Sequence, residues 1–280
     1  MIAEVNILHS YSNGKLNELG LDAYCDFGFP ICHATAAYQS EQLAEATATL
    51  PRVSSSKLEL RSPSKLDQVT RSFAAVLLDD GKEIDTRLLI KACRALLDLL
   101  RSTGAASLRL AAKDFESNLR KVERLFEESP VECRTLASLL ELERERDIHD
   151  GNVLRDPSAA IGLLWIRRSL AFQSHLYYES LVRSDHGKHP KEVAREAYDE
   201  HLSPYHGWML RTVFPASLSQ MPGQAVFLSK FGEVEIEDLD REDEARVVKE
   251  LRLFSETLEP LLEVWKENFV KLNLEDTRRV

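Results

Sequence analysis

The apolar and polar positions change their pattern near residue 66. Residues 1–65 keep neither a 3.6-residue nor a 2-residue repeat, and turn-forming stretches interrupt them at Asn13-Gly14, Phe27-Gly28-Phe29-Pro30 and Pro51-Arg52-Val53-Ser54-Ser55-Ser56. Little fixed structure is expected there, and the apolar patch at Tyr24, Phe27, Phe29 and Ile31 is assigned no role. From Lys65 onward long helical stripes with few Gly or Pro take over. The chain therefore divides into a mostly irregular, poorly ordered N-terminal extension, 1–65, and a helical domain, 66–280.

Within that domain a short helix is predicted over 67–78, closed by Asp79-Asp80-Gly81, and a second over 86–101, with Asp85 as N-cap and Gly104 as stop. Over 107–128, Leu108, Ala111, Ala112, Phe115, Leu119, Val122 and Phe126 recur mostly at steps of three and four, which makes one apolar helix face, and Pro130 ends it. Further helices are expected over 131–146, 157–183, 190–220 (irregular at Pro204 and Pro215), 224–231 and 241–274. No stretch alternates like a strand. The expected fold is all-α, about eight helices in two packed layers, with no internal repeat.

Composition narrows the classes of function. With 44% hydrophobic and 29% charged residues among 280, and no apolar run approaching the ~18 residues of a membrane span, a transmembrane protein is excluded. The excess of 46 acidic over 36 basic side chains argues against a nucleic-acid partner, which needs clustered Lys and Arg. Glu4, Asn6, His9, Ser10 and Asn13 break any secretory leader, so a cytoplasmic location is expected. Cys25, Cys32, Cys93 and Cys133 form no CxxC zinc pair and are read as reduced thiols. A Gly-rich phosphate loop, a GxSxG elbow, an HExxH helix and matched ExxH pairs are all missing from the sequence, so no enzyme, cofactor or metal is expected.

Three short stretches carry candidate chemistry. Asp114, Asn118 and Lys121 stand at i, i+4 and i+7, within about 60° of arc, and border the apolar face of their helix. Such a trio is either a solvated edge or the polar mouth of a greasy cavity. Trp165 and Arg168, at i and i+3, make either a core Trp with a snorkelling Arg or a flat platform for a sugar ring or a cation. Tyr205-His206-Gly207-Trp208 follows Pro204 and is too short to decide alone.

In order and spacing these stretches, with Cys133-Arg134-Thr135-Leu136 and Leu164-Trp165-Ile166-Arg167-Arg168, resemble the glycolipid transfer protein family, glycolipid-type branch. The resemblance runs from about Asp85 to the C-terminus and includes Arg252-Leu253-Phe254 and Lys271-Leu272-Asn273. It implies a non-enzymatic, two-layer all-α carrier or sensor of a glycosphingolipid such as galactosyl- or glucosylceramide, its ceramide in a hydrophobic sleeve. It further implies a cytoplasmic monomer, peripheral on membranes. By position, Asp114, Asn118, Lys121, Trp165 and Arg168 would meet the head group. Asp114 and His206 would hold the ceramide amide, Phe214 and Phe254 would line the sleeve, and Trp208 would lie near the membrane-contact face. The donor and acceptor chemistry agrees, since an ionised Asp and a His N–H supply one partner each for an amide N–H and C=O.

The sister branch, which carries ceramide-1-phosphate, typically has Lys at the Asn118 position and Arg at the Trp165 position; the Asn and Trp here favour the neutral glycolipid. A lipid-sensing scaffold is the remaining alternative. Three positions depart from the family pattern: Leu274 stands where a Tyr commonly follows the Asn, Ser219 replaces an aromatic, and Pro215 falls inside the helix expected to carry His206.

Overall fold

The computed structural model describes residues 62–78, 81–103, 106–183 and 187–279. The expectations for the extension up to residue 61, including its aromatic patch, Cys25 and Cys32, lie outside the described residues, as do Asp79-Asp80, Gly104 and the side chain of Leu108.

Nine α-helices occur among the described residues: α1 Lys65–Ala74, α2 Thr86–Ser102, α3 Ala106–Glu128, α4 Leu136–Glu145, α5 Ala159–Tyr177, α6 Pro190–His201, α7 Trp208–Leu218, α8 Gln224–Gly232 and α9 Arg241–Lys271. A π turn, Tyr178–Val182, extends α5, and a 3-10 turn, Ile236–Asp238, precedes α9. No strand is formed among the described residues beyond isolated bridges such as Leu77 to Ile84. The all-α, two-layer expectation therefore holds.

Local chemistry sets most boundaries. The Asp85 carboxylate caps α2 by accepting from Leu88 N at 2.8 Å, as predicted. The helix expected from residue 131 begins only at Leu136, because Thr135 and Ser138 bond each other's backbone N–H groups in a capping box. The helix expected over 190–220 is two: α6 ends at His201, a turn over 202–207 follows, and α7 starts behind Gly207. His206 thus sits in the turn and does not share a helix with Pro215.

α5 is the central element. Fourteen of its 19 residues are buried, and it packs against α3, α4, α6 and α9, which is why apolar residues occur on all its faces. Its N-terminus is held by Ser158 Oγ, which accepts from Ile161 N at 3.1 Å, and by the buried Glu143 of α4. That carboxylate accepts from Ala159 N at 2.7 Å and Ala160 N at 2.8 Å, where the helix dipole favours negative charge. The long α9 buries Val247, Leu251, Phe254, Leu258, Leu261, Trp265 and Phe269 as one stripe down its length. Cys93 and Cys133 are buried free thiols. No described helix is long and apolar enough to cross a membrane.

Candidate functional site

Where α3 crosses α5, Gly162 lets the two backbones nearly touch: a Cβ there would lie 2.6 Å from the carbonyl oxygen of Asn118. This close approach sets the polar trio of α3 beside the start of α5. Asn118 Nδ2 donates to Asp114 O at 3.1 Å and to Asp114 Oδ2 at 3.3 Å, and Lys121 Nζ donates to Asn118 Oδ1 at 3.1 Å. Lys121 also pairs with Asp156 at 2.7 Å. The accessible surface of Asp114 opens onto a cavity. Partial burial raises its carboxyl above the usual carboxylate range, offset in part by the Lys121 charge and the Asn118 amide.

That cavity has a volume of about 390 Å³, within the range of small-molecule sites. Its polar end gathers Asp114, Asn118, Lys121, Asp156 and His206, and the rest of its wall is mainly Leu, Ile and aromatic side chains, with Trp165 and Phe214 among them. Five residues singled out from three separate stretches, and Phe214 with them, thus meet in one place. The imidazole of His206 stacks on Trp165, with centroids 5.2 Å apart and planes at 29°, and meets the Phe214 ring edge-on at 5.6 Å. The Tyr198 hydroxyl lies 3.2 Å from His206 Nδ1. When Nδ1 accepts from Tyr198, the proton sits on Nε2, leaving that atom a donor. Burial, helped by the charge of Arg168, pushes the His206 pKa down to about 4, so the ring is neutral at pH 7.

The remaining predicted residues stand elsewhere. Arg168 does not line this cavity; its guanidinium lies 3.4 Å over the Tyr205 ring and 5.2 Å from Trp165, and it donates to the backbone oxygen of Asp276. Arg167 beside it binds both carboxylate oxygens of Glu275, at 2.6 and 2.7 Å. Both arginines are thereby claimed by the C-terminal segment after α9. Phe254 belongs to the main core, edge-on to Phe73 at 6.1 Å, and is not part of the cavity wall. Trp208 is 79% exposed at the start of α7, with Met209, Leu210 and Val213 exposed nearby.

Several wall residues escaped the sequence reading. Ser169, Phe172 and Leu176 continue the Trp165 face at i+4, i+7 and i+11, so the stripe itself held that signal. Gln173 and Tyr177 line the same wall, and Gln173 Oε1 and the Tyr177 hydroxyl are buried with no hydrogen-bond partner among the described residues. Asp156 gave no local signal, since it acts through Lys121, 35 positions earlier, and Tyr198 reaches His206 only across the turn that separates α6 from α7.

The sequence profile described as Glycolipid transfer protein (GLTP) matches residues 84–233, more than half of the chain. The chain belongs to the glycolipid transfer protein family. A glycolipid transfer protein of Aureobasidium melanogenum is 29% identical over 198 residues, covering 71% of this chain and 89% of that one. Among solved structures, a fungal glycolipid transfer protein superposes with a TM-score of 0.62 at 21% identity, over 76% of this chain and all of that one. Human ceramide-1-phosphate transfer protein, in complex with 12:0 ceramide-1-phosphate, does so with a TM-score of 0.66 at 20% identity, over 77% of this chain and all of that one. Members of the glycolipid transfer protein family are lipid transfer proteins, and glycolipid and ceramide-1-phosphate types share the fold seen here.

Proposed function

We propose that this chain draws a single neutral glycosphingolipid, of the galactosyl- or glucosylceramide class, out of one membrane and carries it to another without making or breaking a bond. The observation that carries this reading is the charge at the cavity mouth. Among the described residues that line the cavity, Lys121 is the only cation; Asp114 and Asp156 line it too, and Asp156 already pairs with Lys121. A phosphate needs cations or several charge-assisted donors and would meet a net negative rim here. Sugar hydroxyls donate and accept, and they suit Asp114, Asn118 and Lys121 as they stand. The indole of Trp165 offers a flat surface for a pyranose.

Below the sugar, Asp114 accepts from the ceramide N–H and neutral His206 donates Nε2–H to its carbonyl. The apolar wall takes the chains. At ~0.8 kcal/mol per CH2, leaving a sixteen-carbon chain in water would cost about 12 kcal/mol, so the wall must replace most of what the bilayer gave. The exposed apolar cluster on α7, led by Trp208, is the face that touches the membrane. In this reading the protein is a cytoplasmic monomer that visits membranes peripherally.

Transfer between vesicles holding galactosylceramide and ceramide-1-phosphate at equal mole fraction tests the proposal. The expected result is preferential movement of galactosylceramide, shifted toward the phosphate lipid by Asn118→Lys with Trp165→Arg. A wild-type preference for ceramide-1-phosphate would overturn the glycolipid assignment, and tight binding without transfer would replace the carrier by a sensor.

A further inference from the structure

A second cavity, of about 770 Å³, lies against α5, α6 and α9 and contains no residue of the lipid site. On its wall, His175 near the end of α5 meets Glu200 and His201 in the last turn of α6. His175 Nδ1 is 3.1 Å from His201 Nε2. The two oxygens of Glu200 lie 3.5 Å from His175 Nδ1 and 3.7 Å from His201 Nε2. The latter two separations are too long for good hydrogen bonds. The separation of the two imidazole nitrogens matches the spacing of ligand atoms around one ion, since bonds of 2.0–2.2 Å in a tetrahedron put neighbouring ligand atoms roughly 3.3 Å apart, and with one Glu200 oxygen as third ligand the three atoms all lie within 4.8 Å of one another.

We propose that His175, Glu200 and His201 bind one divalent cation, zinc fitting best, with its fourth position open to this cavity. Two imidazoles and a carboxylate are a common zinc ligand set, and an open fourth position takes water. The surroundings favour a cation. Among the described residues, six carboxylates line the cavity against three cationic side chains, and of these cations Arg167 is already held by Glu275. The ion would need little rearrangement, because the ligands come from two helices already packed together.

The site is placed to act on the lipid cavity. His201 ends α6, and the turn over 202–207 hangs from that end through Tyr205 N to Leu202 O at 3.0 Å and His206 N to Leu202 O at 3.2 Å. An ion joining α5 to the end of α6 fixes the base of the turn that carries His206. Whether zinc binds is independent of which lipid the protein carries.

Calorimetric titration of the full, metal-free chain with zinc chloride tests the proposal. One equivalent should bind more tightly than about 0.1 mM and raise the unfolding temperature. His175→Gln and His201→Gln should each lose that equivalent, and Glu200→Gln, a change at an exposed position, should weaken it about tenfold or more. X-ray absorption on the wild-type zinc complex should show nitrogen and oxygen neighbours with two imidazoles and no sulfur, which reports the ligands even where a histidine variant fails to fold. Binding no tighter than about 0.1 mM, an equivalent unchanged in the variants, or a sulfur shell would overturn the site.

Discussion

α5 and α7 both wall the lipid cavity, and they are built in contrasting ways. α5 is buried along most of its length and capped twice at its N-terminus, by Ser158 and by Glu143. α7 buries Leu218 alone, begins behind Gly207 without a side-chain cap, and carries Pro215 in its interior. A helix with few buried apolar contacts opens locally at low cost, whereas a central one opens only with the whole fold. On the proposed reading the contrast separates two tasks: the groups assigned to the ligand sit on or against the fixed wall, and the loose wall faces outward with its apolar residues exposed. A lipid too large for the cavity at its present volume therefore has a route in that leaves Asp114, Asn118 and Trp165 in place.

The strongest test of the fixed wall is Asp114→Val. It should lower affinity for glycosylated and phosphorylated ceramides alike, roughly ten- to a hundredfold, because an amide N–H in a dry site loses its acceptor. Folding should survive, since the site already disfavours the ionised carboxyl. A binding titration with both lipids checks this, and a change of head-group preference alone would remove Asp114 from the amide.

His206 sharpens the comparison through pH. Its pKa falls from 6.5 in the open chain to about 4 in the fold, so the unfolded chain takes up the proton first. The stability that depends on neutral His206 is complete above about pH 6.5, drains away as pH drops toward 4, and changes no further below that, amounting to at most about 3 kcal/mol. Denaturant unfolding of wild type and His206→Gln between pH 7 and pH 4 should show a shallower slope in the variant; parallel slopes would place the imidazole in a wetter site.

Gly162→Ala strikes the crossing of α3 and α5. With a Cβ only 2.6 Å from the Asn118 carbonyl oxygen, the helices must part, at a cost of about 1–3 kcal/mol in unfolding free energy. Transfer should fall along with stability, because the trio on α3 moves relative to Trp165.

The smallest effect on stability is expected at the loose wall. Replacing Trp208 and Met209 by Ala should change unfolding by less than ~0.5 kcal/mol, yet slow transfer between vesicles several-fold. Binding of a lipid presented in detergent should be unchanged. Equal loss in both assays would mean that α7 holds the ligand and does not merely admit it.

The helical domain was legible where a segment's own residues decide its structure. Asp85 caps α2, and the stripe through Ala112, Phe115, Leu119 and Val122 is buried as its period required. The trio at 114, 118 and 121 borders the cavity because helix geometry alone sets its direction. Misreadings occurred where distant partners decide. Nothing near Arg168 announces that a backbone carbonyl 108 positions later will claim it, and a helical wheel gives the face of Lys121 without its bond to Asp156. Phe254 shows the same gap from the other side: its stripe predicts burial, and only the tertiary arrangement says that its neighbour is Phe73.

The C-terminal segment gives this point its widest reach. Glu275 and the Asp276 carbonyl hold Arg167 and Arg168, while the Asp276 carboxylate accepts from Leu154 N at 2.9 Å beside the cavity wall. Head-group choice is then partly a matter of charges kept in reserve. Arg168, the guanidinium beside the indole, also lies 3.7 Å from Glu275, so on the proposed reading a change at Glu275 loosens its hold and tilts the molecule toward anionic lipids with every ligand-touching side chain unaltered.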